Sequence, residues 1–196
     1  MCADSLMDML RATGAILDGH FVLASGRHSD RYVQCALMLA HTPYAAAAGA
    51  LLAAKLPGEL DLVVSPAMGG IVIGHEVARA RELPFLFTER VEGRMALRRG
   101  FQVPAGARVA VVEDVVTTGG SLLEVADLAR AAGAEVAAAA AIVDRSGGDP
   151  PDFGAPFHSL VTLQVRTWDP AECPLCAEGL PAEKPGSGHL TGKGGK

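Results

Sequence analysis

The stretch "VVEDVVTTGGS", residues 111–121, decides how this chain is read. Val111 and Val112 close the apolar run "ARVAVV", which has the form of a buried strand. Glu113 and Asp114 then set two carboxylates side by side where that strand should still be dry. Small and hydroxylated residues follow, and a helical pattern begins at Gly120. Glycines let a ligand approach the backbone, and the first turn of a helix offers outward N–H groups and a dipole that favours negative charge. Thr117, Thr118 and Ser121 add hydroxyl donors, so the loop suits a phosphate. No Lys follows the glycines as in a Walker loop, and the dinucleotide spacing Gly-x-Gly-x-x-Gly is absent. Two acids beside a phosphate would repel it unless something lies between, and a sugar can. Carboxylates accept strong, charge-assisted hydrogen bonds from vicinal hydroxyls. A ribose 5-phosphate satisfies both halves, with hydroxyls on Glu113 and Asp114 and phosphate on 117–121. The competing reading is a strand end whose acids face water ahead of an ordinary helix. The combination of apolar strand, acid pair, Thr-Thr-Gly-Gly-Ser and helix in one register favours the ligand.

Working outward, residues 3–17 predict an amphipathic helix, and 20–26 and 31–39 two short strands around the turn "SGRHSD". Helices are predicted over 43–56, which has Pro43 near its start and Pro57-Gly58 after its end, and over 70–82 and 120–132. Strands are predicted at 61–67, 84–90, 107–114, 135–145 and 157–165, although the alanines of 135–145 would equally allow a helix. Strand and helix alternate, and four of the strands are nearly continuous apolar runs, as in a parallel sheet buried on both faces. The expectation is an α/β fold: a mostly parallel, doubly wound core over about 43–145, flanked by helices, with 1–40 as an N-terminal hood. Residues 1–180 would form one domain. The tail 181–196, rich in Gly, Lys and Pro, would be disordered. In such folds ligands lie beyond the carboxyl ends of the strands, so the loops 65–71, 113–121 and 144–148 should converge.

A net charge of −5 gives no general affinity for nucleic acid or membrane, while leaving room for one basic pocket. The N-terminus lacks the basic region and apolar run of a signal peptide, and no apolar run approaches the roughly 20 residues of a membrane span. The expected location is the cytoplasm. Four cysteines, Cys2, Cys35, Cys173 and Cys176, do not form a disulfide framework in that setting.

The 111–121 segment resembles the phosphoribosyl diphosphate (PRPP) motif of the type I phosphoribosyltransferases. Further matches narrow the resemblance to the orotate-using branch of that family: "HFVLASGRHSDRYV" (20–33), "SPAMGGI" (65–71) and "IVDRSGG" (142–148) are similar to its N-terminal, diphosphate-binding and base-binding segments. The resemblance covers about residues 5–170 in the same order. It implies transfer of ribose 5-phosphate from PRPP to orotate, with Mg²⁺ bound largely through PRPP rather than through protein ligands. It assigns PRPP to Glu113, Asp114, Val115, Val116, Thr117, Thr118, Gly119, Gly120 and Ser121, with Met68, Gly69 and Arg90. It assigns orotate to Thr117, Arg145, Tyr32 and Val33. A homodimer is implied, with loop 90–100 reaching across the interface as a flexible lid, and Arg94 contributing electrostatic stabilisation. Two other readings remain open: a purine base as acceptor, or a PRPP-binding regulator without turnover.

The sequence departs from the family pattern at three places. Ala24 and Gly69 stand where lysines are common, and the loop "TERVEGRMALRRGF" (88–101) carries only arginines. Arg keeps its charge and is a poor proton donor. "CPLC" (173–176) is a lone Cys-x-x-Cys pair, expected as reduced thiols, since a zinc knuckle needs four ligands; Cys2, Cys35, His158 and His189 are its candidate helpers. His20, His28, His41 and His75 have no metal spacing, and His28 is expected to face the substrate pocket. For Arg145, the competing role is a surface salt bridge to Asp144 or Asp149.

Overall fold

The computed structural model describes residues 3–23 and 25–185. Its centre is a six-stranded sheet of β3 (Leu62–Pro66), β4 (Phe85–Val91), β5 (Arg94–Leu97), β6 (Arg108–Val116), β7 (Glu135–Asp144) and β8 (Phe157–Thr162), in the order β5-β4-β3-β6-β7-β8. All neighbours are parallel except β5, which turns back along β4. The residues of β3 are all buried, and Val109 to Val112 and Ala138 to Val143 are buried in β6 and β7. That is why their sequences read as unbroken apolar runs. The alanines of 135–145 form a strand.

Alternate residues of these strands feed two cores. Val63, Ala110, Val112, Ala140 and Ile142 face α1 (Ala3–Ala12), α2 (Cys35–Leu39), α3 (Thr42–Ala53) and α4 (Gly70–Arg81). Val64, Val109, Val111, Ala139 and Ala141 face α5 (Gly120–Ala131). In α1, Leu6 and Leu10 stand one turn apart and are both buried, as an amphipathic helix requires. From β3 the chain moves to β4 on one side, then returns to β6 on the other. The loops after β3 and β6 thus flank the point where the strand order reverses, which is where open α/β sheets hold ligands.

A second, three-stranded sheet has the order β1-β2-β9, built from β1 (Ile16–Val22), β2 (His28–Val33) and β9 (Thr167–Trp168). It is the hood. Three expectations need correction here. The strand expected over 31–39 ends at Val33, and α2 follows; Cys35, Met38 and Leu39 are buried at helical spacing, so the apolar run is one face of a short helix. The lid expected over 88–101 is largely the β4–β5 hairpin, closed by Glu92 and Gly93 at φ 48° and 84°. Positive φ at both central residues matches a two-residue hairpin turn to strand twist. In the tail expected to be disordered, Glu183 pairs with β1: its N–H donates to His20 O and its carbonyl accepts from Val22 N, each at 2.8 Å. Residues 186–196 lie outside the described residues.

Candidate active site

The three loops converge as the strand ends predict. Gly69 and Gly70, after β3, lie directly against the acid pair: a Cβ on Gly69 would stand 2.5 Å from Asp114 Oδ1, and one on Gly70 3.1 Å from Glu113 Oε1. The loop before α4 approaches the carboxylates only because these two residues lack side chains. The peptide Ala67–Met68 is cis, and Met68 is 83% exposed at the cavity edge. On the other side, Arg145 N donates to Val116 O at 2.7 Å, tying the end of β7 to the end of β6.

Two adjoining depressions result. The larger, a cavity of about 1160 Å³, is lined by Asp114, Thr117 and Thr118, by Met68 and Gly69, by Arg145 and Ser146, and on the hood side by Arg27, Tyr32 and Val33. The smaller, about 80 Å³, is lined by Glu113 and by the loop from Val115 to Leu122. Val115, Thr117 and Thr118 border both. The acid pair therefore straddles the two, with Asp114 bordering the larger and Glu113 the smaller. Gly119 opens α5 at φ 72°, and a Cβ there would collide with the Pro151 ring. Leu123 N donates to Gly119 O at 2.8 Å, closing the first helical turn over the small pocket.

Both acids are displaced from ordinary behaviour. Burial pushes Glu113 up to about 9, and the adjacent Asp114 charge adds to it. Asp114 is raised too, by burial first; hydrogen bonds from Glu113 and from Val115 N, at 2.9 Å, oppose that rise. Two carboxylates this close and this buried cannot both ionise easily, so near neutrality the pair tends to share a proton. It can donate one hydrogen bond and accept several.

Arg145 makes no salt bridge among the described residues, so the pairing with Asp144 or Asp149 does not form; Asp144 instead accepts from Ser146 N at 2.8 Å. Its Nε is buried without a partner, and burial lowers its pKa. A half-buried guanidinium without a salt-bridge partner among the described residues, on a cavity wall, has the geometry to accept a planar anion. Tyr32 and Val33 line the same cavity, Tyr32 donating to Gln34 Oε1 at 2.9 Å.

Other expected residues stand apart. Arg90 lies 3.5 Å from Ser121 Oγ, beside the phosphate loop, but its guanidinium is held by Glu124 at 3.2 Å and by Gly93 O at 2.6 Å. Arg94 is exposed at the hairpin tip and lines neither depression. Val116 is buried, and only its backbone serves the site. His28 does not face the pocket; it turns to His20, 2.8 Å away. Sequence reasoning missed Gln34, Cys35, Ser146 and Thr167 as lining residues. Ser146, next to Arg145, and Gln34, next to Val33, carried a positional signal. Cys35 is buried, and burial raises its thiol well above the usual range, so it is neutral there.

A fold with its acid pair and anion loop at the strand-order reversal defines a class, and the chain belongs to it: residues 38–171 match the phosphoribosyl transferase domain family. The chain is 54% identical over 190 residues to the orotate phosphoribosyltransferase of Heliobacterium modesticaldum, covering 95% of this chain and 99% of that one. It is 51% identical over 186 residues to the Thermotoga maritima protein of the same name, with 94% and 99% covered. Among solved structures it resembles orotate phosphoribosyltransferase from Aeropyrum pernix, with a TM-score of 0.69 and 28% identity over 81% of this chain and 93% of that one.

Proposed function

We propose that the chain transfers ribose 5-phosphate from PRPP to N1 of orotate, giving orotidine 5′-monophosphate and diphosphate, a step of pyrimidine synthesis. The observation that carries the choice of acceptor is Arg145, a cation without a counter-ion on the wall of the cavity that also holds Asp114 and Thr117. Orotate presents a planar carboxylate to it. A purine would leave that half-buried charge unpaired.

The reaction follows from the layout. The 5-phosphate sits on Thr117 to Ser121 at the start of α5, and the vicinal hydroxyls on Glu113 and Asp114. Departure of diphosphate leaves oxocarbenium-like positive charge at the anomeric carbon. The acid pair lies where it orients the hydroxyls and favours that charge. Diphosphate lies against Met68 and Gly69, and Thr117, Tyr32 and Val33 frame the base. The nitrogen nucleophile of orotate is already acidic, so no protein base is required. Mg²⁺ would be held mainly through oxygens of PRPP and water, with the hard carboxylate oxygens of Asp114 and Glu113 beside it. When bound it neutralises charge on the diphosphate.

Arg94, out of reach of its own cavity, suits a homodimer in which the hairpin tip from residues 90–100 enters the partner's site and stabilises the leaving group. No helix among the described residues is long and apolar enough to cross a membrane. Free thiols at Cys35, Cys173 and Cys176 accord with a reducing, cytoplasmic setting.

The test is the loss of orotate absorbance on mixing with PRPP and Mg²⁺. Orotate should be consumed, and hypoxanthine and adenine should not. Consumption of a purine instead overturns the acceptor, and PRPP binding without turnover of any base overturns the reaction.

A further inference from the structure

His20, His28, Cys173 and Cys176 come together on the hood, with their four potential ligand atoms all within 4.8 Å of one another. The histidines belong to the β1–β2 hairpin. The cysteines flank the start of the short helix α6 (Pro174–Ala177), more than 140 residues along the chain. We propose that these four side chains form a structural zinc site that fastens the C-terminal segment to the hood.

The spacings fit a tetrahedral ion. Bonds of about 2.0–2.1 Å to nitrogen and 2.3 Å to sulfur put neighbouring ligand atoms roughly 3.3–3.8 Å apart. The Sγ of Cys173 and that of Cys176 lie 3.5 Å and 3.8 Å from His20 Nε2, and Cys176 Sγ lies 3.3 Å from His28 Nδ1. The two imidazole nitrogens, at 2.8 Å, are slightly closer than an ion would hold them. The rings meet edge to face, at 63°, so their lone pairs can converge.

Two further features support the site. His20 Nδ1 stands 2.8 Å from Leu180 O. A carbonyl can only accept, so Nδ1 carries the proton and Nε2 presents its lone pair to the cluster. Metal-bound histidines are commonly fixed by an outer hydrogen bond of this kind. His20 also sits where β1 shifts register against β2, between Asp18 and Phe21, an irregularity that redirects side chains. Thiolate and imidazole ligands select Zn²⁺ over Mg²⁺ or Ca²⁺, and four protein ligands leave no position open for catalysis. Two thiolates balance the ion's charge, which suits a place where His20 and Cys173 are only 5% and 3% exposed.

The site would brace a region already crossed by weak links. The β2–β9 pairing is two residues long, and Glu183 docks on β1 through two backbone hydrogen bonds. The same hairpin supplies Arg27, Tyr32 and Val33 to the cavity.

The full chain, purified under reducing conditions without added chelator, should contain one equivalent of zinc by mass spectrometry of the metal. Titration of the thiols with a mercurial should release it. Replacing zinc by Co²⁺ should produce thiolate-to-cobalt charge transfer and the intense visible bands of a tetrahedral ion. The double variant Cys173→Ser/Cys176→Ser should lose at least about nine-tenths of the metal, and His28→Ala should weaken binding beyond the roughly 10–100-fold that loss of an outer partner costs. Cys35→Ser should keep the full equivalent. A reduced wild-type chain that binds neither zinc nor cobalt overturns the proposal. So does undiminished zinc in a folded double variant, or a Cys173–Cys176 disulfide in freshly purified protein. The wild-type readouts decide the matter even if a variant fails to fold, and none depends on turnover of PRPP.

Discussion

Replacing Glu113 by Gln should stabilise the protein at alkaline pH while impairing it as an enzyme. The folded chain raises this carboxyl from 4.5 to about 9. Between those values the native state keeps a proton that the unfolded chain has released, so stability falls as pH rises through the interval. At pH 8 the unfolded state would gain about 5 kcal/mol from ionising the group, at about 1.4 kcal/mol for each pH unit above 4.5. Solvent reaches a half-buried side chain and the charge is shared with Asp114, so about 2 kcal/mol is the expected effect. Gln has nearly the same shape, keeps a donor toward Asp114, and cannot ionise. For a chain of this size the gain corresponds to a rise in Tm of roughly 4–8 °C at pH 8. It should shrink steadily on acidification and vanish near pH 4.5. Thermal unfolding of both proteins without ligand, followed by circular dichroism across this range, measures it. A variant no more stable than wild type at pH 8, or an advantage that does not vary with pH, would refute the reasoning.

Asp114→Asn should lower turnover by about 10²–10³-fold, the scale for losing one group aimed at transition-state charge; near-normal turnover in the orotate assay would remove Asp114 from the mechanism. Arg145→Ala should raise the KM for orotate roughly 10–100-fold, as expected for a charge-assisted hydrogen bond, with a much smaller change for PRPP; equal changes in both constants would argue for general damage. Gly119→Ala forces a side chain into a left-handed backbone conformation and onto Pro151, and should cost about 1–3 kcal/mol together with weaker PRPP binding. Chemical denaturation and PRPP titration check the two effects separately.

The sheet was legible because burial on both faces leaves an unbroken apolar run, and β3, β6 and β7 have that signature. The loop from Glu113 to Ser121 was legible because charge interrupts the run at the strand end. What escaped depended on residues distant in sequence or on local geometry. β5 was hidden because Glu92 adopts a positive φ that glycine would have advertised. α2 was merged with β2 because "CALML" is apolar enough for either structure. That Arg90 is engaged by Glu124 cannot be seen from a stretch of arginines alone. The histidine partners of "CPLC" lie some 150 residues away, and only the hairpin and the docked C-terminal segment bring them together.

The acid pair rides on β6, a strand hydrogen-bonded on both edges. Other walls of the cavity come from elsewhere: the hood contributes Tyr32 and Val33, and the end of β7 contributes Arg145. On the proposed reading the hood thus bears on the base alone, while Thr117 at the end of β6 serves donor and acceptor together. Exchanging the hood strand that carries Tyr32 and Val33 would reshape the base side of the cavity while leaving the sugar-phosphate grip on β6 and α5 in place.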